Sequence, residues 1–529
     1  MTPGSARPLP ARPARPLSAP PARPALRVLH VSQPVGGGVA RVVTDLVAAA
    51  PAAGLHAVVA CPADGWLAGA VRERGGEVRT WEATRSPGLG LGGEVRRLAR
   101  IIAAVRPDVV HAHSAKAGLA ARLAVRGRVP TVFQPHAWSF EAADGITGRL
   151  ALRWERYAAR WATCTVCVSE AERRRGERAG IRGGIRAGIR TGTGARTRAG
   201  TGTWGRAGTG AGAPARTRMA ATAQAAWEVI PCGVDTERFR PSPAPAADRR
   251  AALPLHPDLP PPPPLRRTAG PGGSDGGTER PLVVCVARLC RQKGQDVLLR
   301  AWPAVPRAVP GAHLVLVGDG PDEAALRAAA PGSVTFAGPT VDAAAWYRVA
   351  DLVVLPSRWE GMALVPLEAM ACGRPVLVTD VDGARESLPP GQARHCLVRP
   401  DDPAALAHAI VALLRNAALR DALAHEARPH VVAHHDVRNA AAAFADLYHR
   451  VRDGRSAAGH AESVAAAGPH AESVASAGPH AEGGAGHAAV PCTGRPQRTA
   501  GSAPCAAPGA PPAHAAFGGY VDRRGSDVP

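Results

Sequence analysis

Arg358-Trp-Glu-Gly-Met-Ala-Leu-Val-Pro-Leu-Glu-Ala-Met-Ala-Cys-Gly-Arg-Pro375 carries two glutamates, Glu360 and Glu368, with seven residues between them. The apolar run Leu352-Val-Val-Leu355 precedes it and reads as a buried strand ending at Pro356. Pro366 suits the first turn of a helix, where its missing N–H has no intrahelical partner to lose. Gly373 and Pro375 then stop that helix. Glu360 is therefore expected on the loop at a strand's carboxyl end, and Glu368 inside the following helix. Such a loop aims unpaired N–H groups and a positive helix end at one point, which is a seat for phosphate. Spacing alone equally allows a buried strand–helix unit with two solvated glutamates.

Strand, turn and helix alternate on both sides of this stretch. Leu26-Arg-Val-Leu-His-Val31 runs into Gly36-Gly-Gly38, and Val39, Val42, Val43, Leu46 and Val47 follow at helical spacing. Further pairs are Ala57–Ala60 with a helix Trp66–Arg74, a helix Gly93–Val105 with Asp108-Val-Val-His-Ala-His113, and a helix Ala117–Arg126 with Thr131-Val-Phe-Gln134. A second series begins at Leu282-Val-Val-Cys-Val-Ala287 and continues through strands at His313–Val317, Val334–Phe336, Leu352–Leu355 and Val376–Val378. Repeated βα pairs with short connections predict parallel, doubly wound sheets, whose ligands lie beyond the strands' carboxyl ends. Gly36–Gly38, His113 and Pro135-His136-Ala-Trp-Ser-Phe140 fall there in the first half. Arg288, Lys293 and Glu360 fall there in the second.

The 529 residues allow two or three domains, each with its own core. The organisation expected is a disordered extension 1–25, a first Rossmann-like domain 26–172, a low-complexity insert 173–226, a second Rossmann-like domain 227–436 with a Pro-rich insert 241–280, a helix 437–452 and a disordered tail 453–529. The formal charge of +21 raises nucleic acid or an anionic membrane as partner. Over half of it, however, lies in 173–226, where twelve Arg oppose one Glu. Only Lys116 and Lys293 are lysines, against 62 arginines, so the basic total is partly a compositional drift and nucleic acid is not the expected partner. Cysteines sit inside apolar strands, as small hydrophobes do, and Cys164-Thr-Val-Cys167 lacks a second pair at zinc-site distance. No stretch reaches the length of a membrane span and the first 25 residues have no signal-peptide core, so a cytoplasmic location is expected. Ile146–Trp161 reads as an amphipathic helix, with Arg149, Arg153, Arg156 and Arg160 on one face and Leu150, Trp154, Tyr157 and Trp161 on its neighbour. A packed aromatic face under a solvated basic one is the reading preferred over a membrane-lying helix. Histidines of the repetitive tail would trap metal only adventitiously.

Arg288 and Lys293, five positions apart after a strand, are placed to converge on one polyanion. Two cations at a diphosphate stabilise the charge that develops as it leaves. No carboxylate pair stands where it would hold a divalent metal instead, so no metal cofactor is expected.

These residues resemble the retaining nucleotide-sugar glycosyltransferases of family four, which have the GT-B architecture of two Rossmann-like domains facing a cleft. The similarity covers 26–172 and 227–451. Glu360–Val376 resembles the family's E-x7-E signature, Arg288-Leu-Cys-Arg-Gln-Lys-Gly294 its phosphate-binding loop, Ile230-Pro-Cys-Gly-Val-Asp235 its hinge and Gly318-Asp-Gly-Pro321 its turn. Val109–Gly118 and Gln134–Phe140 look most like the polysaccharide-assembly branch. The resemblance implies that Arg288 and Lys293 neutralise the donor pyrophosphate, Glu360 contacts the donor sugar and His136 lies near the reacting sugar or acceptor. It assigns donor binding to Gly37, Gly38, Gly318, Phe336, Gly338 and Glu368, with Glu368 at the ribose and the Phe336–Gly338 backbone at the base. It further implies transfer from a nucleoside-diphosphate sugar, with retention of anomeric configuration, to a glycan or lipid-linked acceptor, and peripheral contact with the inner membrane face. Cys232, Ala287 and Asp382 depart from the family pattern, and Asp382 adds a negative charge on the donor side. A nucleotide-sugar epimerase, a glycosidase and a polyanion-binding protein on a degenerate scaffold are the rival readings.

Overall fold

The structure, a computed structural model, describes residues 25–85, 88–183, 227–243 and 280–454. The expected N-terminal extension, the greater part of both inserts and the C-terminal tail lie outside the described residues. The strands of the first sheet are β1 (Leu26–Ser32), β2 (Leu55–Cys61), β3 (Glu77–Thr80), β4 (Val109–His113), β5 (Thr131–Gln134), β6 (Cys164–Cys167) and β7 (Trp227–Val229). Their spatial order is β3-β2-β1-β4-β5-β6-β7, and every pairing is parallel. The second sheet holds β8 (Leu282–Val286), β9 (His313–Val317), β10 (Val334–Gly338), β11 (Leu352–Leu355), β12 (Val376–Thr379) and β13 (Leu397–Val398). Its order is β10-β9-β8-β11-β12-β13, again parallel. Helices on both faces leave β4, β5, β9 and β11 buried at every position, which is why β9 and β11 are nearly continuous apolar runs while β4 and β5 carry buried polar side chains.

Strand order reverses between β1 and β4 in one sheet and between β8 and β11 in the other. A crevice opens at such a point because the two connections leave toward opposite faces. Gly36–Gly38 follows β1, Ser114 follows β4, Arg288 follows β8 and Pro356–Gly361 follows β11. Topology therefore delivers the conspicuous loops of the sequence to the two switch points.

Domain boundaries differ from the expectation. The boundary at 172 falls inside the helix Glu170–Arg178, whose Ser169 side chain caps it by accepting from the Glu172 amide at 3.1 Å. The insert therefore begins only after the described residue 183. Trp227–Val229 pairs with β6 and so completes the first sheet, not the second. The chain crosses to the second domain through Ile230–Phe239 and returns at His435–Val437, where Val234 and Asp436 form a bridge. The helix Val437–Arg452 then packs Phe444, Leu447, Tyr448 and Val451 against Val28, Val109 and Val132 of the first sheet. The helix Ala417–His434, absent from the sequence reading, carries Pro429 in its interior, which removes one backbone donor and blurs the sequence signal.

The amphipathic helix is real but rotated from expectation. Over Gly145–Ala158 the inward positions are Gly148, Glu155 and Ala158, while Ile146, Leu150 and Tyr157 stand exposed at 74%, 61% and 46%. A buried ion pair sets that rotation: Arg122 Nη2 meets Glu155 Oε2 at 2.8 Å, and the guanidinium lies 3.8 Å over the Phe133 ring. Cys164 and Cys167 belong to different core clusters on opposite faces of β6 and form no chelating pair.

Candidate functional site

The loop after β8 turns through Arg291–Lys293 in a short 3-10 helix, with the Lys293 amide donating to the Cys290 carbonyl at 2.9 Å. Gly294 has φ +69°, and a Cβ there would stand 2.1 Å from the Pro356 carbonyl oxygen, so only glycine lets this loop meet the end of β11. The contact brings Lys293 Nζ onto Glu360 Oε1 as an ion pair. The Ser357 hydroxyl donates to the same carboxylate oxygen at 2.7 Å. Arg358 anchors the loop from outside by a two-pronged pair with Asp296, both contacts 2.7 Å, and by a further bond to Asp401 at 2.7 Å. The Arg358 hydrogen bonds hold the Asp296 carboxyl below the usual carboxylate range. Arg288 is exposed at the mouth of the crevice. Arg85, from the first domain, lies near enough that Arg288, after burial itself, lowers its pKa. Sequence reasoning missed Arg85, because no motif surrounds it.

Gly318 supports the neighbouring loop through its backbone. With φ +134°, it lies where a Cβ would be 2.1 Å from the Ala287 carbonyl oxygen. The neighbouring Asp319 carbonyl accepts from the Leu289 amide at 2.6 Å. The Gly318–Pro321 turn is thus a backbone cradle under the Arg288–Lys293 loop. Gly338 (φ +69°) has its carbonyl engaged by the Gly318 amide at 2.8 Å, and the Phe336 side chain is buried with Arg327 stacked 4.6 Å over its ring.

Glu368 is buried within the helix Leu364–Ala371, where the Tyr347 hydroxyl donates to it at 2.8 Å. Burial raises its pKa, against the Tyr347 bond and the charges of Arg41 and Arg238. These two arginines and Asp45 line a small cavity with Glu368 between the domains. Burial pushes the Asp45 carboxyl up to about 7. Gly37 has open space around it, and a Cβ on Gly38 would touch the Leu364 side chain at 3.6 Å. The first residues of helices Gly37–Ala49 and Leu364–Ala371 therefore face each other across the crevice, bringing two positive helix ends together.

His136 and Ala137, after β5, have φ of +55° and +99°, unusual for residues with a Cβ. Glu172 holds them: its carboxylate accepts from the Ala137 amide at 2.6 Å and from the Val168 amide at 2.8 Å. Burial raises that carboxyl to about 7. The loop abuts Gly361, where a Cβ would be 3.0 Å from the Ala137 nitrogen. His136 Nε2 lies 3.3 Å from His113 Nδ1, and burial keeps its imidazole neutral, with the pKa lowered to about 3.

Three further links cross between the domains. The Ser169 hydroxyl donates to the Gly361 carbonyl at 3.0 Å. Glu386 accepts from the amides of Glu170 and Ala171 at 2.7 and 2.8 Å, so a carboxylate of one domain caps a helix of the other. Asp382, the residue that departs from the family pattern, is met by Arg175 Nη2 at 2.8 Å, an arginine it shares with Glu141. Cys232 is buried with its sulfur 3.7 Å from the Met362 carbonyl. The structure thus brings Arg288, Lys293, Glu360, Glu368, Gly37, Gly38 and the His136 loop to one crevice and sets Gly318 beneath it.

Residues 37–186 match the family model described as "Glycosyl transferase 4-like domain", and residues 280–416 the one described as "Glycosyl transferases group 1". A GDP-mannose-dependent alpha-(1-6)-phosphatidylinositol monomannoside mannosyltransferase of Mycobacterium tuberculosis is 38% identical over 178 residues, 31% of this chain and 40% of that protein. A GDP-mannose-dependent monoacylated alpha-(1-6)-phosphatidylinositol monomannoside mannosyltransferase of Corynebacterium glutamicum is 32% identical over 228 residues, 41% of this chain and 54% of that protein. The chain thus spans about half or less of the curated relatives it matches. Among solved structures, Anabaena HepE in complex with UDP-glucose superposes with a TM-score of 0.60 at 21% identity, covering 80% of this chain and 99% of that one. No helix among the described residues is long and apolar enough to cross a membrane. The chain therefore has the GT-B fold, its first half matching a glycosyl transferase 4-like domain and its second a glycosyl transferases group 1 domain.

Proposed function

We propose that this protein transfers a hexosyl group from a nucleoside-diphosphate sugar to a lipid-linked glycan acceptor, with retention of anomeric configuration. The observation that carries the reading is the convergence of Lys293–Glu360, Arg288 and two helix N-termini on one crevice between two Rossmann-like halves. In this reading Arg288, Lys293 and the backbone at Gly37 and Gly38 receive the diphosphate. The negative charge that grows on the leaving diphosphate is then stabilised by groups already fixed in place, which is the kind of interaction that accelerates a reaction. Glu360, held by Lys293 and Ser357, is rigid enough to orient sugar hydroxyls. Glu368 takes the ribose, the Phe336–Gly338 edge lies at the base, and His136 faces the reacting sugar from the acceptor side. With the diphosphate charge met by side chains and helix ends, no divalent metal is required at it. Mannose carried on GDP is the first donor to test, because the mycobacterial and corynebacterial relatives are described as GDP-mannose-dependent.

The exposed Ile146, Leu150 and Tyr157, interleaved with Arg149, Arg153 and Arg156 on one helix, support peripheral contact with an anionic membrane carrying the acceptor. The test is a thermal-shift panel of nucleoside diphosphates and their sugars, with and without Mg²⁺. One donor family stabilises the protein regardless of Mg²⁺, and Lys293→Ala abolishes the shift. A folded protein that responds to no donor sinks the proposal.

A further inference from the structure

Beneath the His136 loop lies a histidine cluster that the glycosyl-transfer reading does not use. His30 on β1 stands in register with His111 on β4, and His113 lies two residues further along β4 on the same face. All three are buried, and one nitrogen from each lies within 4.8 Å of the others. His30 Nδ1 and His113 Nε2 are 3.1 Å apart. Two of the other ring nitrogens have outer partners: His111 Nδ1 is 2.7 Å from the Tyr448 hydroxyl, and His113 Nδ1 is 3.3 Å from His136 Nε2. His111 Nε2 is fully buried and has no hydrogen-bond partner within reach. Gln134, in register with His113 on the adjacent β5, brings a buried amide group beside the His111 and His113 rings.

We propose that His30, His111 and His113 bind one late first-row divalent cation of the zinc class, through His30 Nδ1, His111 Nε2 and His113 Nε2. Around tetrahedral zinc, with Zn–N of 2.0–2.1 Å, ligand nitrogens stand about 3.3 Å apart. The His30–His113 pair, at 3.1 Å, is close to that spacing, and one nitrogen from each of the three rings lies within 4.8 Å of the others. An all-imidazole set in an apolar interior selects zinc-like ions over Mg²⁺ or Ca²⁺, which prefer oxygen ligands. The Gln134 oxygen or a water completes the fourth position. Ligating histidines characteristically donate their second N–H to an outer acceptor, which fixes the tautomer. Tyr448 and His136 are those acceptors here. The ion would therefore pin the C-terminal helix Val437–Arg452 to the first sheet through Tyr448. It would also hold His136 in its φ-positive conformation at the crevice, so the histidines are metal ligands and His136 is positioned through them.

The experiment uses the full chain, loaded with Zn²⁺ and passed over a weak competing chelator, with metal content read by mass spectrometry. Histidines outside the cluster contribute equally to every variant, so the difference between variants isolates the cluster. Wild-type protein carries one more zinc per chain than His30→Gln or His113→Gln, while His136→Gln keeps the wild-type content. Equal zinc in wild type and in folded His30→Gln and His113→Gln overturns the proposal. Co²⁺ loading of wild type gives a reading that needs no variant to fold. An intense visible absorption band marks a tetrahedral nitrogen site, and a weak octahedral spectrum from the folded protein overturns the assignment.

Discussion

Gly318→Ala tests the cradle role derived from the structure, whose particular mark is a loss of stability in the absence of donor. A Cβ at this position would stand 2.1 Å from the Ala287 carbonyl oxygen and 2.9 Å from its carbon. Restoring an ordinary contact requires the Ala287–Leu289 main chain or the Gly318 turn to move by about 1 Å, because packed interiors have no slack to absorb the atom. The backbone angle of +134° adds strain of about 1–3 kcal/mol for any residue with a side chain. Steric and conformational costs together predict a stability loss of about 2–4 kcal/mol. The displaced segment carries Arg288 and leads to Lys293, so the cationic groups shift relative to Glu360. A misplacement of about 1 Å costs on the order of 100-fold in reaction rate, and the same displacement weakens the grip on the donor diphosphate. The assay is urea denaturation for stability, with Gly37→Ala as its control, and calorimetric titration for donor affinity. Gly37 has a similar need for positive φ (+74°) but open space around it, so its alanine variant loses only about 1 kcal/mol. A Gly318→Ala protein with wild-type stability and donor affinity would refute the cradle.

Arg122→Ala leaves Glu155 buried without its partner and also removes the stacking on Phe133, so unfolding free energy falls by about 3–5 kcal/mol in urea denaturation. Glu386→Ala strips the cross-domain cap from the helix Glu170–Arg178 and costs about 1 kcal/mol; hydrogen exchange at the Glu170 and Ala171 amides accelerates. Asp436 is held at about 2, against 3.8 unperturbed, first by its hydrogen bonds from Arg438. A depressed folded pKa means that its stabilisation is full above the unfolded value and drains as pH falls from about 4 toward 2, so acid titration of Asp436→Asn shows a shallower loss there. Asp45 has the opposite sign. Its folded pKa is raised to about 7, so its contribution turns unfavourable as pH climbs from 3.8 to 7, and Asp45→Asn gains stability over wild type across that window in pH-dependent melts.

Much of this architecture is legible because its signals are local. Leu282–Val286 and Leu352–Leu355 are short apolar runs flanked by turn residues, and a strand buried on both faces has no other pattern to show. Pro366 in a first turn and Gly373 past a last one bracket their helix by backbone stereochemistry alone. Lys293 and Glu360 were both singled out, yet their ion pair depends on Gly294 letting two separate loops touch, and no spacing encodes that distance. Arg85, Arg41 and Arg238 were missed since each is one arginine among many, distinguished only by the carboxylates and cations it faces across the crevice. The face of Gly145–Ala158 was misread for a related reason: periodicity ranks Leu150 and Tyr157 as inward, but the buried Arg122–Glu155 pair fixes the helix rotation.

What the sequence determined by itself was the identity of the elements and the loops that matter, because φ/ψ preference, apolar period and capping act within a few residues. Tertiary structure decided which sheet Trp227–Val229 would join, where the helix Val437–Arg452 would rest, and that Gly318 supports a loop from below. It also decided that His30, His111 and His113 would share one buried space. Those outcomes follow from strand register and from the crossing between domains, which couple residues hundreds of positions apart through packing that no local pattern records.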